Sequence, residues 1–415
     1  MQTTTREQRG MEIAATTHIS KKGGMWIVPS QSSSEKYAVD LTGDSPRCTC
    51  VDFVLRRSKC KHIYAVEFTE RRETKPDGTT TVTKTVRVTY KQDWHAYNLA
   101  QTHEGELFAD LLRGLCQGIV QPPQSKGRPR LPLGDVVFAA VGKVYSTKSG
   151  RRFMSELREH EANGDVSKVA SYNSTYRYLE NPALTPILKA MIEEAAAPLK
   201  AVEINFAVDA SGFSASRFDR WYDAKYGGMH KEQHWLKVHL MCGVKTNVVT
   251  SAEVTPSYKH DSPYLPQLVA TTAKRFQVAE VSADKAYLSS KNFEAIVAAG
   301  AVPYIPFKVN TTGEGPELWR RLYHFYEYNR QEFLAHYHQR SNVETVFSMI
   351  KAKFGDAVRS RTDTAQVNEV LCKVLAHNIC CLVQSIYELG IEPKFWTEGA
   401  GTFEADRRVL GQVAL

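Results

Sequence analysis

Apolar positions recur with two different periods along the chain, and the balance between them changes near residue 202. Residues Asp93 to Gln117 carry an apolar stripe of Trp94, Tyr97, Leu107, Leu111, Leu112 and Leu115, which predicts helix with a break at Gly105. Residues 133–200 predict three or four more helices, punctuated at Asn163-Gly164 and Asn181-Pro182. Earlier, Met25-Trp-Ile-Val-Pro and Lys36-Tyr-Ala-Val-Asp-Leu predict two short strands. Residues 66–90 alternate around Lys75-Pro-Asp-Gly-Thr and predict a hairpin. Residues 1–24 are polar and predict a loose segment.

From Val202 the runs become β-rich. Val202 to Asp209 is an apolar strand ending in an acid, and His234–Gly243 and Asn247–Thr255 follow it as an antiparallel meander. A helix (263–276) leads to a second strand ending in an acid, Val278 to Asp284. Helix (289–299), a fifth strand (302–308), and helices through Glu344 and from Thr364 to Leu389 complete the order. The stretch Tyr337 to Lys351 has no Gly or Pro, with Val343, Phe347 and Ile350 at helical spacing. At about 100° per residue, Tyr337, Arg340, Glu344 and Lys351 fall on one side of that helix. A carboxylate is thereby flanked by the two side chains that best grip phosphate. An ordinary solvated ion-pair face is the alternative.

Composition sets bounds. A chain of 415 residues, 42% hydrophobic and 24% charged, can bury a sizeable core in two or three domains. No apolar run approaches a membrane span, and the polar N-terminus is no secretory signal, so a cytoplasmic protein is expected. The net charge of +8 permits a polyanionic partner. Cys116, Cys242, Cys372, Cys380 and Cys381 lie in apolar surroundings, as reduced thiols do.

The other three cysteines cluster. Cys48-Thr-Cys50 precedes Cys60-Lys-His62, and three thiolates with an imidazole can close a tetrahedral zinc site. A reduced cysteine cluster in a small core is the other reading. The pattern resembles the SWIM zinc finger, which implies a structural Zn²⁺ and an interaction module. Arg56, Arg57, Lys59 and Lys61 surround these ligands. Further on, Lys126-Gly-Arg-Pro-Arg130 resembles an AT-hook, whose arginines (here Arg128 and Arg130, with Lys126) would enter a narrow A·T minor groove. A basic linker fits equally. Tyr172 to Leu179 carries polar side chains able to reach base edges or phosphates, as a helix-turn-helix reader would, and a plain helical bundle is the other reading.

The strand and helix order of the second half resembles the ribonuclease-H-like fold, a mixed five-stranded sheet with helices. There the ends of the first and fourth strands are neighbours, so Asp209 and Asp284 would converge and a following helix could add Glu344. Three carboxylates at one point need cations between them, and hard oxygen ligands suit Mg²⁺ or Mn²⁺. The spacing of Tyr337, Arg340, Glu344 and Lys351 resembles the Tyr-Arg-Glu-Lys signature of DDE transposases of bacterial insertion sequences. Asp209-Ala-Ser-Gly-Phe and Ala283-Asp284-Lys-Ala-Tyr287 resemble that family's first and second acid motifs, with Ala286 where Gly is usual and Lys308 where an Arg often stands.

The resemblance implies metal-dependent cleavage at transposon ends and strand transfer into target DNA, with Asp209, Asp284 and Glu344 as metal ligands. It also implies backbone contacts from Tyr337, Arg340 and Lys351, and a homodimer on two DNA ends. The short interval between Asp284 and Glu344 leaves no room for an inserted β domain. The expected organisation is a zinc module (1–120), a basic linker and helical DNA-binding segment (121–200), a catalytic domain (201–390) and a tail (391–415). The alternatives are a nuclease on the same fold that cuts without joining, and a non-catalytic DNA-binding descendant of a transposase.

Overall fold

The computed structural model describes residues 6–30, 35–43, 45–74, 80–84, 93–124, 127, 129–215 and 235–396. The Pro-Asp-Gly turn, Lys126, Arg128 and the tail beyond residue 396 lie outside the described residues. The chain divides into two compact units, 1–92 and 93–415.

In the first unit, strands β1 (Ser20–Lys22), β2 (Met25–Pro29), β3 (Lys36–Asp40) and β4 (Arg47–Cys48) form an antiparallel sheet in sequence order. Helices α2 (Val51–Arg56) and α3 (Lys61–Thr69) follow, then the hairpin of β5 (Glu70–Thr74) and β6 (Thr80–Lys84). The N-terminal segment is not loose. Residues Arg6–Thr16 form a helix, α1, whose buried Gly10 and Ile13 lie one turn apart against α3. Gly10 permits that approach, because a Cβ there would collide with the Tyr64 side chain and stand 2.9 Å from the Lys61 carbonyl. Among the described side chains of this polar-rich segment only Gly10 and Ile13 are buried, which gives almost no periodic signal.

The second unit opens with helices α4 (Trp94–Thr102) and α5 (Glu104–Gln117), separated at His103 rather than Gly105. Asp93 caps α4, its carboxylate accepting from the His95 and Ala96 amides. Helices α6 (Leu133–Tyr145), α7 (Gly150–Ala162), α8 (Tyr172–Leu179) and α9 (Leu184–Ala196) follow. The sheet then comprises β7 (Asn205–Ser214), β8 (Trp235–Gly243), β9 (Val249–Pro256), β10 (Glu280–Ala283) and β11 (Val302–Tyr304), with α10 (Leu265–Ala273) and α11 (Ser290–Ala298) between strands. Its spatial order is β11-β10-β7-β8-β9. The first three strands are antiparallel, and β10 and β11 are parallel to β7. This is the mixed five-stranded sheet expected from the sequence.

Four helices end the described chain: α12 (Glu317–Tyr328), α13 (Arg330–Tyr337), α14 (Ser341–Phe354) and α15 (Asp363–Leu389). Among the described residues, α15 is long and apolar enough to cross a membrane, but 78% of its most apolar window is buried inside the fold. It packs against α4, α5, α6, α8, α9 and the sheet. Residues 93–200 therefore share one hydrophobic core with the sheet, and the chain divides earlier than expected, after residue 92. Buried polar side chains fix the seating. Asn378 on α15 takes the Val249 amide on its Oδ1 at 2.8 Å and donates to the Val249 carbonyl at 2.7 Å, in the manner of a neighbouring strand.

Gly10→Ala is expected to weaken the α1–α3 contact by about 1–3 kcal/mol. Amide exchange across Arg6–Thr16 should quicken while exchange in the 93–396 unit stays unchanged. Unaltered protection of α1 would remove the close-approach argument.

Candidate active site and zinc centre

The zinc ligands sit at two helix starts. Cys48 and Cys50 flank the entry to α2, where Cys50 Sγ accepts from the Phe53 amide at 3.4 Å, and Cys60 and His62 flank the entry to α3. The positive ends of these helices favour thiolate. All four side chains are buried, and their ligand atoms lie within 4.8 Å of one another. His62 Nδ1 stands 3.9 Å from Cys48 Sγ and 4.0 Å from Cys60 Sγ. Metal–sulfur bonds of about 2.3 Å give a tetrahedron with edges of roughly 3.7 Å, so the cluster has the size of a zinc site. The Cys60 thiol is pushed down to about 4, foremost by its hydrogen bond with Cys48. Tyr37 stacks on the His62 ring with centroids 4.5 Å apart, which holds the imidazole in place.

The acids converge through strand register. β7 pairs in parallel with β10 from Asn205↔Glu280 to Val208↔Ala283, so the next residues, Asp209 and Asp284, stand side by side. One expectation is corrected here: Asp209 does not end its strand. β7 runs on to Ser214, paired with β8 as far as Trp235. Gly212 leaves space for the Trp235 ring, 3.1 Å from where a Cβ would stand. Asp284 caps a short 3₁₀ turn, Lys285–Tyr287, accepting from the Lys285 amide at 2.6 Å. Ala286 fits this turn without left-handed backbone, so the absence of the usual glycine costs nothing.

The stretch carrying Glu344 is not one continuous helix. Tyr337 ends α13, a 3₁₀ turn spans His338–Arg340, and Ser341 begins α14. Gln339 reaches Asn205 on β7 at 3.4 Å, and Asn342 donates to the Val244 carbonyl, so the tight turn is seated on the sheet. That seating lets Arg340 bridge two acids: Nη1 donates to Asp209 Oδ2 at 2.7 Å, and Nη2 donates to Glu344 Oε1. Burial raises the Tyr337 hydroxyl above its ordinary value, and the nearby Arg340 charge opposes that rise. Lys351, two turns beyond Glu344, donates to Ser211 Oγ at 2.7 Å and lies over the Phe213 ring.

Burial raises the Asp209 carboxyl above its ordinary value, and the nearby Asp284 and Glu344 charges push the same way, opposed by the Ala210 amide and Arg340. Burial also lowers the Lys351 ammonium. The Tyr287 hydroxyl is buried without a hydrogen-bond partner among the described residues, in the field of Asp209, Asp261 and Asp284. Only the Cys48, Cys50, Cys60 and His62 group, among the described residues, draws three or more metal-binding side chains within 4.8 Å. The three carboxylates are more widely spaced, with the guanidinium between two of them. Arg130 is exposed, and its amide donates to Gln124 Oε1 at 2.9 Å. Ser211 went unnoticed in the sequence, since its role depends on the strand continuing past Asp209.

A sheet of this order, with one acid on its first strand, one beyond its fourth and one on a following helix, belongs to the ribonuclease-H-like fold. Residues 201–379 match the family model of the transposase DDE domain, and residues 37–70 match the SWIM zinc finger. The chain carries a DDE transposase domain behind a SWIM zinc finger, which supports a DNA-cleaving, transposase-type function. No curated protein matches the chain.

The purified chain is expected to carry one zinc ion, measured by elemental analysis, and Cys60→Ser to lose it. Full zinc retention by the variant would remove Cys60 from the centre.

Proposed function

We propose that the chain is a DNA transposase that cleaves phosphodiester bonds at transposon ends and joins the freed ends to target DNA. The observation that carries this reading is the β7–β10 register, which sets Asp209 beside Asp284, together with the Arg340 bridge from Asp209 to Glu344. A cation already lies between two of the acids, and three carboxylates suit hard divalent ions. Asp209, Asp284 and Glu344 would hold Mg²⁺ or Mn²⁺, which supplies activation of water or a 3′-hydroxyl and stabilisation of the leaving oxygen.

The remaining residues bind and orient DNA. Arg340 offers a planar fork that can take a phosphate in place of a carboxylate. Lys351 projects from α14 near Ser211 on β7, and Tyr337 flanks the guanidinium. Arg130 is exposed and adds a further cation available to double-stranded DNA. Between Asp284 and Glu344 the described chain holds helices and the short β11, which agrees with cleavage that uses no inserted β domain. Two DNA ends held together require two copies of the chain.

Glu344→Gln keeps the shape of the side chain but removes the charge that a metal needs. Cleavage of a labelled transposon-end duplex with Mn²⁺ should fall by at least about a thousandfold, equivalent to several kcal/mol, while duplex binding is retained. Retained cleavage would exclude Glu344 from the metal site. In the same assay, joined products separate a transposase from a nuclease that only cuts.

Lys351→Ala should weaken duplex binding and reduce the slope of log affinity against log salt by about 0.9, one phosphate contact. An unchanged slope would make Lys351 a structural partner of Ser211 alone.

A further inference from the structure

The α7 face outside the matched transposase domain has no part in the chemistry above. A shallow groove of about 470 Å³ runs along it, lined by Lys148, Arg151, Arg152, Arg158, Ser155 and Tyr172, with Met154 at its edge. None of its lining residues is acidic. Of the acids next to it in sequence, Glu156 is paired with Lys148, and exposed Glu159 follows Arg158. Arg151, Arg152 and Arg158 are exposed. Three of these cations, Arg151, Arg152 and Arg158, fall within about 11 Å along α7 and repel one another unless an anion offsets them.

The groove is also built rather than incidental. Arg151 packs over the Tyr172 ring at 5.2 Å, which fixes its guanidinium. The Gly150 amide donates to the Tyr176 hydroxyl at 3.1 Å, and a Cβ at Gly150 would overlap that hydroxyl, so glycine is what lets α8 close on the start of α7. Arg359 then ties this corner to the catalytic sheet. Its Nη1 donates to the Thr147 carbonyl at 2.7 Å and the Lys148 carbonyl at 3.3 Å. Thr147 and Arg359 line a cleft of about 390 Å³ together with Lys353, Asp356 and Ser214, the last residue of β7. Ser214 lies five residues beyond Asp209, roughly 17 Å along an extended strand, a span of about five base pairs.

We propose that the α7 groove binds the phosphate backbone of the duplex whose reacting bond lies at Asp209, five or more base pairs away. Its contacts position the DNA without reading its sequence, since every lining cation meets phosphate equally well in any sequence. Arg359 makes the distance between groove and acids a fixed property of the fold. The proposal rests on the reading of the chain as a DNA enzyme, and adds where the duplex runs.

The test uses the full chain and a 30-bp duplex of arbitrary sequence, about three helical turns. Arg151→Ala, Arg152→Ala and Arg158→Ala combined replace exposed helix residues by the best helix former, so thermal unfolding should stay at the wild-type temperature. Binding by fluorescence anisotropy should weaken on the order of tenfold to a hundredfold, and the salt slope should fall by about 2.7. The same change at exposed Arg320 and Arg321 on α12 should leave both within error of wild type. Independently, a photocrosslinker on Ser155→Cys should label the duplex. Wild-type affinity and slope in the triple variant, or no crosslink, overturns the groove alone. A wild-type chain that binds no duplex overturns the DNA-enzyme reading itself.

Discussion

The meeting of the candidate acids depends on four residues of parallel pairing between β7 and β10. Asp209 and Asp284 are 75 positions apart in sequence, and only this register makes them neighbours. A slip of one residue would turn Asp284 to the opposite face of the sheet, because side chains alternate strictly along a strand. What prevents the slip is apolar. Phe206, Val208, Val281 and Ala283 are all buried within 1% exposure, so a shifted strand would expose core and bury an acid. Ser282 reinforces the register by donating to the Phe206 carbonyl, and His336 on α13 meets Glu280 at the strand's far end at 2.9 Å. The chemistry is thus placed by hydrophobic packing that takes no part in it.

Charge is managed differently at the two centres. In the zinc module, two helix starts favour the thiolates and the ligands already have the dimensions of a closed tetrahedron. In the second unit a guanidinium stands between two of the acids, with Arg340 bridging Asp209 and Glu344. A structural metal site is complete when its ligands meet. A catalytic one must keep open positions and tolerate an exchange of partners, and an arginine that can hold either a carboxylate or a phosphate suits that exchange.

Much of this was legible in the sequence, and the failures have physical causes. The order of strands and helices, the two chelating pairs and the three acids follow from patterns of residues close in sequence. The helix at Arg6–Thr16 was hidden because its stability comes from α3, through Gly10 and Ile13, rather than from its own amphipathicity. The extension of β7 to Ser214 was hidden because Ala-Ser-Gly-Phe has turn composition, and only the Trp235 ring across the ladder explains Gly212. The break at His338–Arg340 left no mark, since a 3₁₀ turn uses residues that an α-helix also accepts. Each miss lies where a tertiary contact overrode a local preference.

The deepest of these contacts joins the helices of 93–200 to the sheet. A linker-connected DNA-binding domain would let bound DNA drift relative to the acids, and the reacting bond would have to be found after binding. Here α15 runs through both parts and is pinned by buried polar groups. Asn368 donates to the Leu179 carbonyl at the end of α8, Lys373 donates to the carbonyls of Gly355 and Ala357 after α14, and Asn378 completes the edge of β9. Leaving any of these groups unpaired would cost about 1–3 kcal/mol, so sliding of α15 against its neighbours is strongly opposed. Helices and sheet therefore move as one body. On the proposed reading, a duplex gripped by the helices would meet Asp209, Asp284 and Glu344 at a distance set by folding, with orientation built in beforehand.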